Sequence, residues 1–218
     1  MNKTAAIFLN GTYPLESKKF YISEYKKMAR QSFIIAVDGA LNFFRDNKLL
    51  PHMILGDWDS AGYSKRKLFQ DIEVISTPDK DNLITDGELS LQWCVDNNIS
   101  DVVIYGGIDT VFETDHLMGN IFMMFAYINI FRSIKMRDYI QEIIPIVDGV
   151  ISGEGNAGEN ISVVPLSKSI IFEAQGLQYN PRGKKYGFGS STPLRNQIKN
   201  KRFRIGIKGK AVIIQHFR

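Results

Sequence analysis

The 218 residues are 44% apolar, 11% aromatic and 23% charged, proportions that exclude a disordered or fibrous chain and, at this length, a disulfide-stapled miniprotein. The single cysteine, Cys94, cannot form an internal disulfide, no secretory leader is visible, and no run approaches the ~20 apolar residues that span a bilayer, so a soluble cytoplasmic protein is expected. The net charge of +4 is unevenly spread: residues 182–218 hold eleven Lys and Arg and no Asp or Glu, and sixteen cations against 23 acids leave residues 1–181 at −7. Such a stretch suits a solvated surface, a face turned to an anionic ligand, or nucleic-acid binding.

In chain order, short apolar runs at 5–9, 33–37, 53–55, 72–76 and 102–105 are too brief for helices and mostly β-branched or aromatic, so each predicts a strand. Between and after them, 18–30, 65–69, 86–97 and 115–131 carry helical patterning. Alternation of this kind predicts a mostly parallel sheet with helices on both faces. From about residue 134 the pattern changes to alternating strands at 139–146, 160–164, 169–173 and 211–216, with a Gly-rich turn at 153–158 and no long helix. An α/β unit followed by an all-β unit is expected, 1–135 and 136–218, with the boundary between Phe131 and Tyr139.

Ligands of an open parallel sheet bind beyond the carboxyl ends of its strands. Four of the predicted strands run into acids there: Asp38-Gly39-Ala40, Gly56-Asp57-Trp58-Asp59-Ser60, Thr77-Pro78-Asp79-Lys80-Asp81 with Thr85-Asp86 opening a helix, and Gly106-Gly107-Ile108-Asp109. Crowded carboxylates repel one another unless a cation compensates, and Mg²⁺ with a nucleotide would complete such an oxygen-rich set. His52, His116 and His216 are scattered, which speaks against zinc. Individually the residues have plainer readings. Asp38 or Asp86 alone could be a helix cap, Trp58 a packed turn residue instead of a stacking platform, and His116, beside Asp115 at a helix start, a cap or nucleotide contact instead of a general base. Gly106-Gly107 lacks a Walker-type lysine. Trp93 and Cys94 fall in an amphipathic helix and are expected in the core.

In their order, Asp38-Gly39, Gly56-Asp57-Trp58-Asp59-Ser60, Lys80-Asp81 with Thr85-Asp86 and Glu88, Gly106-Gly107, Asp115-His116 and Gly119-Asn120 resemble thiamine pyrophosphokinase. A later run, Gly176-Leu177-Gln178-Tyr179, then Phe188-Gly189-Ser190-Ser191 and Asn196, is similar to that family's C-terminal substrate motif. The resemblance implies a Rossmann-like domain for ATP and Mg²⁺, a C-terminal β-sandwich, and a homodimer with thiamine between subunits. It implies attack of the thiamine hydroxyl on the β-phosphorus of ATP, giving thiamine diphosphate and AMP. By carry-over, Asp57, Asp59, Asp81 and Asp86 would hold Mg²⁺ or orient the hydroxyl. Asp38, Gly39, Asn42, Lys80, Gly106, Gly107, Asp115 and His116 would fall on the ATP side, and Ser190, Ser191 and Asn196 would meet thiamine.

The chain departs from the family pattern at several points. Ala40 and Leu41 replace a Gly and an Ala, Asn82-Leu83-Ile84 lengthen the spacing before Thr85, Glu113 stands where a phosphate-facing Arg is usual, and Arg195 replaces a Ser. A carboxylate in place of a guanidinium repels phosphate oxygens, so another cation such as Lys80 or the basic stretch would have to substitute. Two other functions compete with thiamine diphosphokinase: a related diphosphotransferase acting on another alcohol, and a non-catalytic nucleic-acid or regulatory module using residues 182–218. The strand-end acids and the absence of a nucleic-acid motif weigh against the last.

Overall fold

The first apolar run becomes strand β1 (Thr4–Phe8) in the computed structural model, which describes residues 3–56, 68–76, 84–108 and 114–217. β1 lies inside a parallel sheet with β2 (Ser32–Val37), β3 (Met53–Leu55), β4 (Glu73–Ile75), β5 (Asp101–Tyr105) and β6 (Ser133–Arg137). The spatial order is β6-β5-β1-β2-β3-β4, every pairing parallel. These strands lie in the first of two units, Met1–Tyr139; the second is Ile140–Arg218.

Strands buried on both faces read as continuous apolar runs, and residues 5–8 and 34–37 are buried without alternation. On one face, Ala6, Phe8, Ile34, Ala36 and Tyr105 form a core with Tyr21 and Met28 of α1 (Lys18–Met28) and with Leu41, Phe43 and Phe44 of α2 (Ala40–Asp46). Its hub is Phe8, stacked on its β5 neighbour Tyr105 at 4.9 Å between ring centroids and edge-on to Phe44 at 5.2 Å. The opposite face meets α3 (Asp86–Asp96), where Trp93 stacks on Phe33 at 4.6 Å and Leu91 and Cys94 are fully buried. A further helix, α4 (Thr114–Ala126), follows β5.

The predicted helix over 115–131 stops at Ala126, after which residues 127–132 turn so that β6 can start at Ser133. Neither β6 nor α2 stood out in the sequence: Lys135 and Arg137 interrupt the apolar residues of β6 so that no apolar run marks it, and the seven residues of α2 are too few to show a helical period. Of the predicted helix over 65–69, only Leu68 and Phe69 lie within the described residues, in a turn.

The second unit is antiparallel throughout: β7 (Gln141–Glu154), β8 (Asn160–Pro165), β9 (Ser169–Gln175), β10 (Lys184–Gly187), β11 (Asn196–Gln197) and β12 (Arg202–His216). β12 pairs with β7 along its length, while its other edge takes β9 over 204–208 and β8 over 211–215. This switch of partners lets the strands curl around one apolar core that includes Ile161, Phe172, Leu177, Ile205 and Ile213. The expected turn at 153–158 begins two residues too early, since β7 continues to Glu154. Gly153 sits opposite Phe203, whose ring fills the space a side chain would need, so this glycine is part of a strand pair. Likewise β12 begins at Arg202, well before the predicted Ala211, crossing Gly206 and a bulge between Ile207 and Lys210 that contains Gly209. The basic stretch is woven into this unit, with exposed Arg202, Arg204 and Lys208 alternating with buried Phe203, Ile205 and Ile207.

No helix among the described residues is long and apolar enough to cross a membrane. Burial pushes the Cys94 thiol up to about 12, so at pH 8 it should resist a disulfide-exchange reagent in the native protein and react at once in denaturant. Fast labelling of native protein would contradict the packing of α3 on the sheet.

Candidate active site

Strand order reverses beside β1: β2, β3 and β4 extend to one side of it and β5 and β6 to the other. A crevice is expected at the carboxyl ends of the strands flanking such a reversal. A cleft of about 870 Å³ opens there, lined by the segment after β1 (Leu9, Asn10, Gly11, Thr12), by Val37 and Asp38 after β2, by Gly106 after β5, and by the first turns of α3 and one side of α4.

Two backbone segments meet at its floor. A Cβ on Gly11 would overlap the carbonyl oxygen of Gly106, and one on Gly106 would overlap the Tyr13 hydroxyl. Gly106 also has φ +73°, so glycine is required there by conformation as well as by space. The Tyr13 hydroxyl donates to the Leu9 carbonyl at 2.6 Å, and burial holds its pKa well above the usual tyrosine value, keeping it a neutral donor. Asp38 turns the chain out of β2 with φ +46° and accepts a hydrogen bond from Asn10 Nδ2 at 3.1 Å. The carboxylate at the end of β2 is thus tied to the loop after β1.

α3 presents its N-terminus to the cleft. Thr85 Oγ1 accepts from the Glu88 N–H at 3.2 Å while Glu88 Oε2 accepts from the Thr85 N–H at 3.0 Å, a reciprocal cap that occupies the Glu88 carboxylate. Asp86 opens the helix, and its Oδ2 lies 3.3 Å from the position a Cβ would take on Gly56. Gly56, with φ +120°, lies beside the Asp86 carboxylate and the Asp38 backbone. On α4, Asp115 Oδ1 accepts from the His116 N–H at 3.0 Å, and Asn120 Nδ2 donates to the Gly107 carbonyl at 3.0 Å, fastening the helix to the loop after β5.

Among the described lining residues are four carboxylates, those of Asp38, Asp86, Glu88 and Asp115, and no Lys or Arg. Among the described residues no group of three His, Cys, Asp or Glu is close enough to hold a metal ion. The donors are nonetheless hard oxygens, which suits Mg²⁺, an ion that binds through one or two carboxylates and completes its shell with water and phosphate.

A family model described as "Thiamin pyrophosphokinase, catalytic domain" matches residues 25–136, just over half of the chain and most of the residues that form this cleft. The chain belongs to the thiamin pyrophosphokinase family. Its reaction is therefore that of thiamin pyrophosphokinases, transfer of diphosphate from ATP to the hydroxyl of thiamine. The chain is similar to the solved structure of thiamine pyrophosphokinase from Bacillus subtilis, 22% identical over 99% of this chain and 100% of that one, with a TM-score of 0.82. Thiamin pyrophosphokinase from Geobacillus thermodenitrificans is 21% identical, over 99% and 98% of the two chains, with a TM-score of 0.80. Thiamin pyrophosphokinase from Candida albicans is 14% identical, over 100% and 90%, with a TM-score of 0.76. At these identities the likeness is one of fold, and no curated protein matches the chain by sequence.

Of the residues expected at a thiamin pyrophosphokinase site, the cleft brings together Asp38, Asp86, Gly106, Asp115 and His116. Gly39 lies just behind, where a Cβ would run into the Asn10 side chain. Asn42 sits in α2, its N–H donating to the Gly39 carbonyl, and Gly107 lies under α4; neither lines the cleft. Asp57, Asp59, Lys80, Asp81 and Glu113 lie outside the described residues. In the second unit, Ser190 and Ser191 occupy a turn after β10, the Ser190 N–H donating to the Gly187 carbonyl. The Asn196 side chain accepts from the Tyr179 N–H at 3.1 Å and donates to the Tyr179 carbonyl at 2.7 Å, so its amide braces residues 177–180. Sequence reasoning missed Asn10, Gly11 and Thr12, although the signal was present: they follow the first apolar run as the acids follow the other runs.

Proposed function

We propose that this cleft binds ATP with Mg²⁺ in a Rossmann-like domain, that the second unit is a β-sandwich carrying thiamine-side residues, and that a cytoplasmic homodimer completes the site. The observation that carries the reading is the convergence of Asp38, Asp86 and Asp115, from three separate elements, on the switch-point cleft of a thiamin pyrophosphokinase chain. Asp86, with Asp57, Asp59 and Asp81, would hold Mg²⁺ or orient the acceptor hydroxyl. Bound Mg²⁺ supplies neutralisation of the triphosphate oxygens.

The remaining steps fall to the chain's own groups. Asn10 and the Gly11–Gly106 contact fix the floor on which the phosphates lie, and Asp115 and His116 border them at the start of α4. The thiamine hydroxyl oxygen bonds to the β-phosphorus as the bond from that phosphorus to the α,β-bridging oxygen breaks, AMP leaves, and the hydroxyl proton passes to a cleft carboxylate. Ser190, Ser191 and the turn braced by Asn196 would receive thiamine. Incubation of purified protein with ATP, Mg²⁺ and thiamine should yield AMP and thiamine diphosphate in equal amounts. Formation of ADP, or of no product by folded protein that binds ATP, would overturn the assignment.

A further inference from the structure

Asn10 follows β1, Asp38 follows β2, and both line the cleft. The backbone of Asp38 is fixed from two sides: its N–H donates to the Leu55 carbonyl at 2.9 Å, and its carbonyl accepts from the Leu41 N–H at 3.1 Å. Its φ of +46° is one that few residues other than Gly, Asn and Asp adopt. The side-chain torsions remain, and Asn10 Nδ2, donating to Asp38 Oδ2 at 3.1 Å, constrains them. The Asn10 amide is itself oriented. A Cβ on Gly39 would overlap its Oδ1 and Cγ, so the amide packs against the Gly39 backbone, and turning it over would set Oδ1 against a carboxylate oxygen.

The fold does not depend on this bond. β1 and β2 are already paired from Thr4–Ser32 to Phe8–Ala36, and a side-chain bond open to solvent replaces bonds to water and adds little to stability. Its effect falls on the cleft. Resting on the ATP reading above, we propose that Asn10 is a positioning residue, which holds the Asp38 carboxylate where it accepts from an O–H group carried by ATP with its Mg²⁺. An ionised carboxylate repels the triphosphate, so Asp38 favours the nucleotide only through such a donor. Ribose hydroxyls, which an acid at the end of a second strand takes in doubly wound sheets, and waters held by Mg²⁺ both qualify.

Releasing the Asp38 carboxylate predicts that Asn10→Ala raises the KM for ATP about tenfold, with kcat at saturating ATP, the KM for thiamine and the melting temperature as in the wild type. In an Asp38→Ala background there is no carboxylate to hold, and Asn10→Ala should cost nothing further. Should that background bind ATP too weakly to measure, the KM against kcat split of Asn10→Ala decides alone. A 2′,3′-dideoxy-ATP arm separates the two donors: a penalty from Asn10→Ala seen with ATP and absent with the dideoxynucleotide assigns the ribose, and an equal penalty assigns water on the metal. Wild-type binding of ATP with Mg²⁺ is measured first, since its failure would remove the ATP reading itself. If the wild type binds, three results would each overturn the role of Asn10 while the ATP reading stands: an unchanged ATP KM in Asn10→Ala, a lowered melting temperature with ATP binding intact, or losses from Asn10→Ala and Asp38→Ala that simply multiply.

Discussion

Asp86→Asn should leave the protein folded and lower kcat by about a hundredfold or more, the range lost when a single preorganised charge contact to the transition state is removed. Asn matches Asp in size, and the Thr85–Glu88 cap that holds the start of α3 does not involve the side chain of residue 86. What the helix loses is one favourable charge at its N-terminus, about 0.3–1 kcal/mol, or about 1–4 °C in Tm for a chain of this size. A structural acid would give the reverse result, a lower Tm with activity retained. Measuring kcat across a Mg²⁺ titration sharpens the test, because a lost metal contact moves the half-saturating Mg²⁺ concentration upward.

Chelation should abolish ATP binding itself, in addition to turnover. Each carboxylate within ~4 Å of a phosphate oxygen costs about 4 kcal/mol at an effective dielectric of ~20, and the described lining offers four acids and no Lys or Arg to offset them. Calorimetric titration of ATP into protein in EDTA should show no saturable binding, and restoring Mg²⁺ should restore it. Equal binding in EDTA would mean that a cation outside the described lining, such as Lys80, faces the triphosphate.

The sheet of the first unit was legible because strands buried on both faces announce themselves as continuous apolar runs, and residues 33–37 and 102–105 needed no tertiary information. Asp38, which follows the first of these runs, was legible for the same reason, since a strand's end marks the cleft edge. Asn10 escaped because an uncharged residue in an Asn-Gly pair looks like an ordinary turn; its bond to Asp38 joins residues 28 apart. Asn196 was legible as a polar residue in a motif, but its two bonds to the Tyr179 backbone depend on the pairing of distant segments. In β7 and β12, glycines that look like breaks are places where a partner's ring or a bulge uses the vacant space, and only the cross-strand partner reveals that.

The split pairing of β12 bears on how the chain is made. β7, β8 and β9 all depend on this strand, β9 through 204–208 and β8 through 211–215. During translation those earlier strands emerge with their apolar sides uncovered, and the second unit cannot close until residue 216 has left the ribosome. A release of the nascent chain before that point would yield a folded first unit joined to an open, adhesive set of strands, the kind of product that chaperones and proteases must clear.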